Sequence, residues 1–425
     1  MNSNSVNVST GNYRWVILAL LTLAQLVMSM GAYSWGPLAP FLRAEFDATR
    51  AQIGAIVSVL YFASVVIAIP SGVAVDKWGS RLMLVIALAS MGVAFAAMAT
   101  IKVFVAFWVM AAIAGIGYGM INQISTKGLM LWFDSGGRAT AMGIKQTGVT
   151  FGGALGAVVL PAISGKFGWR WAVVLTGVLM LAVALSVVLG YRDSPQRVSS
   201  PAVGASGPGT KGPDWRSILS GPGSKSDLLI LSVVAMLLAF SQTSITSFLV
   251  LFLEEDLGFS MRAAGACLTV LMLAGATGRI AWGLISDRFF GGNRKIPMII
   301  LCFLAFACGL GLAFLSGDSA VSLVYCLSAM VGFTFMGWNA LFITLGAEIA
   351  GPELAGSVTG FTLAVCWAGI IIGPPLFGAV ADNFGYFWDW IILSVFALVG
   401  AGAFIYSAMR SPTVTPTGET ARLCK

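Results

Sequence analysis

The sequence predicts an all-α membrane protein, with twelve transmembrane helices in two pseudo-symmetric six-helix bundles. Three observations predict it. Only 10% of the 425 residues are charged while 58% are hydrophobic, against about 25% charged in soluble domains. Apolar runs long enough to cross hydrocarbon, about 20 residues each, recur along the chain. A glycine–aspartate–basic motif appears once in each half.

The apolar runs fall at 15–38, 51–75, 82–101, 104–128, 140–163 and 170–190, then at 227–252, 262–285, 296–316, 320–347, 355–380 and 388–408. Between the two sets lies one long polar break, 192–226, with Ser-Pro and Gly-Pro-Gly repeats. Such a composition cannot bury a core, so it reads as a flexible linker. The domain boundaries follow: bundle 1–191, linker 192–226, bundle 227–410 and tail 411–425.

Charge sets the orientation. Of the 24 Lys and Arg, three lie inside apolar runs. Six (Arg43, Arg50, Lys102, Lys166, Arg170 and Arg262) fall in one set of connections, and the other fifteen in the opposite set and the termini. The positive-inside rule then places both termini in the cytoplasm of a multi-pass protein of the cell inner membrane. The net charge of +7 serves this orientation, and no nucleic-acid partner is implied. The polar start, 1–11, lacks a signal-peptide cleavage site, so the first run is retained.

Histidine is absent, which excludes a histidine-based metal site, proton relay or triad. The six cysteines form no CxxC pair and mostly sit in apolar runs, as small buried hydrophobes do. No metal, cofactor or Walker A phosphate loop is indicated, and no cluster of acids or nucleophiles suggests an enzyme.

The motif reads Gly72, Asp76, Lys77, Gly79, Arg81 after the second run, and Gly283, Asp287, Arg288, with Gly291, Gly292, Arg294 and Lys295, after the eighth. It resembles the loop motif of the major facilitator superfamily, and the resemblance covers nearly the whole chain. It implies the major facilitator fold, with Asp76 and Asp287 as conformational latches whose rupture permits alternating access. Gly72 and Gly283 are expected to allow close helix packing. A weaker echo links Gly165 and Gly168 with Gly378, Asp382 and Gly385. The glycines of the fifth and eleventh runs, among them Gly148, Gly152, Gly369 and Gly373, are expected at the interface between the halves.

Three cations lie inside the spans: Lys127, Lys145 and Arg279. Arg279 stands eight residues before Asp287, about 12 Å by helix rise. Intramembrane charge marks function by default, and arginine clamps a carboxylate with paired hydrogen bonds. The spacing of Arg279, Gly283 and Asp287 resembles the eighth helix of the monocarboxylate transporters, where the arginine anchors the substrate carboxylate. Tyr33, Ser34 and Trp35 resemble the oxalate/formate antiporter group, although the lysine that group carries in its eleventh helix is missing from 355–380. The candidate substrate-binding set is Arg279 as anchor, Lys127 and Lys145 as secondary cations, and Tyr33, Tyr118, Asn122, Gln146, Gln242, Trp338 and Asn339 as polar partners. Tyr118 and Asn122 share one helix face.

The reading is a secondary transporter of a small organic anion, a mono- or dicarboxylate, by alternating access, with proton symport or anion exchange and a monomeric functional unit. Its rivals are an exporter of drugs or other hydrophobic compounds and a non-transporting membrane sensor.

Overall fold

A computed structural model describes residues 10–133, 135–193 and 224–410. Among these residues all regular structure is helical. The helices are α1 Thr10–Ala32, α2 Trp35–Phe46, α3 Arg50–Trp78, α4 Ser80–Met98, α5 Val105–Trp132, α6 Ser135–Phe167 and α7 Trp169–Gly190. There follow α8 Ser224–Glu255, α9 Met261–Phe289, α10 Lys295–Ala313, α11 Val321–Phe335, α12 Asn339–Phe384 and α13 Tyr386–Arg410. Eleven apolar stretches are long enough to cross a membrane, and Val321–Phe335 is a shorter apolar helix. Most of the linker and the whole tail lie outside the described residues, as does Asp134.

Two runs differ from the sequence expectation. The first is broken at Tyr33 and Ser34, between α1 and α2. The Ser34 hydroxyl and amide both donate to Gly31 O, at 2.7 and 3.1 Å, closing α1. Pro37 then sits in the first turn of α2, where its missing N–H is harmless. The tenth run stops at Phe335, turns through Met336–Trp338 and resumes as α12. Thr334 donates back to Met330 O and Val331 O, a bond that competes with the helix ladder. Helical backbone continues through 348–354, where the sequence suggests a connection; the spanning part of α12 is Thr362–Phe384.

The chain resolves into two compact units. The first comprises Met1–Ser34, Val59–Gly156 and Lys166–Ser200; the second comprises Trp35–Ser58, Ala157–Gly165 and Pro201–Lys425. In the first, α4 packs against α5 and α7, and α1 against α5 and α7. Gly148 and Gly152 of α6 bring it onto α1, where an added Cβ would strike the backbone at Thr22 and Leu26. In the second, α12 packs on α8, α13 on α10 and α11 on α9. Gly369 and Gly373 rest on Met236 and Phe240 of α8. These four glycines therefore serve contacts inside their own units. At Gly72 and Gly283 a Cβ would meet nothing within 4 Å among the described residues, so the close packing expected there is not seen.

One end of the second unit carries a buried ion pair. Lys295 Nζ lies 2.8 Å from Asp227 Oδ2, with side chains 5% and 9% exposed. Ser407 donates to Asp227 Oδ1 at 2.6 Å, and Lys295 also reaches Ser407 O. Removing one member of such a pair costs about 3–5 kcal/mol, because it strands the other charge.

Candidate functional site

In the second unit, the break between α11 and α12 creates the polar centre. A carbonyl beside a helix end lacks its usual partner, and Met336 O is such a group. It accepts from Arg279 Nε at 3.2 Å and from Asn339 Nδ2 at 3.3 Å. Gln242 Oε1 in turn accepts from Trp338 Nε1 at 3.2 Å and Asn339 Nδ2 at 3.1 Å. Four sequence candidates, Arg279 on α9, Gln242 on α8, Asn339 on α12 and Trp338 in the turn before it, thus join in one network. Arg279 is half-buried. Among the described residues its bonded partner is this neutral carbonyl.

In the first unit, Lys145 of α6 is 1% exposed. Its ammonium donates to Asn122 Oδ1 of α5 at 3.0 Å. One turn along α5, the rings of Tyr118 and Tyr61 meet edge to face with centroids 6.0 Å apart. Tyr33 also lies beside Tyr61. Tyr61, on α3, was missing from the sequence candidates because a lone tyrosine in an apolar run carries no local signal. Gln146 is exposed and turns about 100° around the helix from Lys145, so it does not join this group. Lys127 is also engaged elsewhere: it pairs with Asp76 at 2.7 Å and donates to Val75 O at 3.0 Å.

The two motif copies are wired differently. In the first, Asp76 of α3 reaches Lys127 of α5, and Lys77 lies over the Trp78 ring at 5.7 Å. Gly79 has φ 84° and caps α4, a left-handed conformation that glycine adopts at little cost. Arg81 N donates to Asp193 Oδ1 at 3.0 Å, and its guanidinium reaches Val188 O. In the second, Asp287 pairs with Arg294, which also reaches Glu348 at 3.2 Å. Burial disfavours the Arg294 charge, but its hydrogen bonds to Asp287 and Glu348 outweigh that and raise its pKa. Arg288 is exposed.

A further ion cluster lies within the second unit. Arg50 holds Glu255 at 2.7 Å, and Arg43 holds the same carboxylate. Asp382 accepts from the amides of Arg50 and Ala51 at 3.1 and 3.0 Å, capping α3, as a carboxylate at a helix N-terminus does. Gly385, three residues on, has φ 84° and ψ 162°, the same backbone as Gly79. The faint sequence echo at Gly378, Asp382 and Gly385 was the available signal for this cluster. Beside it Asp389 is buried, and its Oδ2 has no donor among the described residues.

Helices of this length and apolarity, with charges confined to helix ends and a few internal polar centres, define a multi-pass membrane protein. The chain belongs to the Major Facilitator Superfamily, whose family model matches residues 21–370. It is 25% identical to the Membrane sensor protein UhpC of Salmonella typhimurium, over 94% of this chain and 91% of that one. The Hexuronate transporter of Bacillus subtilis is 24% identical, covering 94% and 96%. The Probable sulfoacetate transporter SauU of Cupriavidus necator is 25% identical, covering 95% of each. Among solved structures, a bacterial homologue of the human lysosomal transporter Spinster superposes with a TM-score of 0.79 at 18% identity, over 94% of this chain and 98% of that one; it shares the fold.

Proposed function

We propose that this chain is a secondary active transporter of a small organic anion of the carboxylate class, working by alternating access. The observation that carries the reading is Arg279. Its guanidinium is bonded to a neutral carbonyl, in a site where an unpaired charge is costly and where bidentate recognition of a carboxylate is its natural use. Lys145 supplies a second cation with a neutral partner, while Lys127 is neutralised by Asp76 and belongs to the latch. The names of two relatives agree: hexuronate and sulfoacetate are both carboxylates.

In this reading Asp76 and Asp287 act as latches at the cytoplasmic end, and Asp382 with Arg50 and Glu255 at the outer end. The protein works as a monomer in the inner membrane, with both termini cytoplasmic. The likeness to the sensor UhpC raises a rival reading, in which the site binds an anion without moving it; the transporter relatives weigh against it. Uptake into liposomes separates the two.

The test is uptake of glucuronate, sulfoacetate and small mono- and dicarboxylates by the purified protein in liposomes. Wild type is expected to accumulate at least one of them. Arg279→Lys keeps the charge and loses the paired geometry, so uptake should fall about 100-fold or more. Unchanged uptake in that variant removes Arg279 as the anchor, and binding without uptake by wild type favours the sensor.

A further inference from the structure

The group that Lys145 is bonded to, Asn122, is polar and uncharged. Lys145 shares its helix face with Gly148, against which α1 presents Thr22 and Gln25. From α5 come Asn122, Tyr118 one turn before it and Lys127 five residues after it, the last held by Asp76 of α3. Tyr191, just past the end of α7, stands beside Gly128. On α6 itself Arg138 lies two turns away, its side chain outside the described residues. Among the described residues no acid is bonded to Lys145, which is 1% exposed. An ammonium has three donors, and among the described residues one of them is met. Gln25, also 1% exposed, has an Oε1 without a donor among the same residues.

An uncompensated ammonium in such a place costs several kcal/mol. Two events relieve that cost: the proton leaves, or an anion arrives. We infer that Lys145 carries the coupling proton of transport, as a neutral amine while the site is empty and as an ammonium while the anion is bound. This inference rests on the anion reading above. The amine takes a proton from water on the side where the anion enters, and the lone pair of Nζ forms the new N–H bond. Anion and proton are released together on the other side, restoring the amine. Binding one carboxylate then adds no net charge to the site.

The experiment is anion binding to purified protein across about pH 6–9, where carboxylates are fully ionised, with glucuronate and sulfoacetate as probes. Proton uptake on binding is read with an indicator dye in weak buffer. Wild type should take up about one proton per anion on the alkaline side, where its affinity falls about tenfold per pH unit. Lys145→Met and Lys145→Arg cannot change protonation in this range, so both should lose the proton uptake and show flat pH profiles, whatever their absolute affinity. Their folding is checked by thermal unfolding, and the wild-type proton count stands without them. A wild type that binds anion with no proton uptake overturns the inference and leaves the anion reading intact. Proton uptake that persists in Lys145→Met also overturns it and moves the proton elsewhere, with Asp389 the next group to test. Failure of wild type to bind either probe at any pH counts against both.

Discussion

Lys145 and Arg279 are both cations inside a membrane helix, yet they are held in opposite ways. Lys145 sits on unbroken helix, sealed from solvent, with a side-chain amide as its partner. Arg279 is half-buried and tied to a main-chain carbonyl that a helix break sets free. A flexible amine is thus controlled by its surroundings, and a rigid guanidinium by a fixed acceptor. The first arrangement suits a charge that comes and goes, the second a charge that must point one way.

Mutations can break that contrast. Among changes to the partners rather than to the cations themselves, the largest effect is expected at Gln242→Leu, which strands the Trp338 donor and leaves Asn339 Nδ2 with Met336 O alone. Each buried unmet donor costs about 1–3 kcal/mol, so the thermal midpoint should fall and uptake should drop about tenfold or more. A wild-type midpoint with full uptake would show that the network does not support Arg279. Asn122→Leu removes the amide acceptor of Lys145. Because the amine can give up its proton, stability should change by no more than about 1 kcal/mol, while the pH profile of binding shifts. A loss as large as that of Gln242→Leu would erase the distinction between the two sites.

Smaller effects are expected at the latches, where the Asp76 and Asp287 carboxylates are about half exposed and exposed pairs contribute about 1 kcal/mol or less. Asp76→Asn frees Lys127 within the membrane, so its turnover should fall several-fold more than that of Asp287→Asn, with substrate affinity little changed in either. Single-turnover and steady-state uptake compared side by side would test this, and equal rates in both variants would refute the asymmetry.

Much of the fold is readable from apolar run length, since hydrocarbon demands long helices with satisfied backbones. The Gly72–Arg81 and Gly283–Arg288 motifs are legible for a similar reason, being local in sequence. The break at Met336–Trp338 is not, because Gly337 is its single local cue. Nor is the partner of Lys127, 51 residues away, nor the pairing of Arg50 with Glu255, separated by 205. Charges chosen for a site by depth alone cannot reveal which already have an acid waiting. Gln146 fails for a simpler reason, since adjacent residues on a helix face different ways.

The Lys295–Asp227–Ser407 tie has a mechanical side. It knots the start of α8, the start of α10 and the end of α13 at one point. Residue 224 is also where α8 begins, near the end of the polar 192–226 segment. Any tug arriving along that segment is therefore shared among three helices, and α8 cannot be peeled away alone. The connection behaves as a tow line made fast to the hull rather than to a single plank.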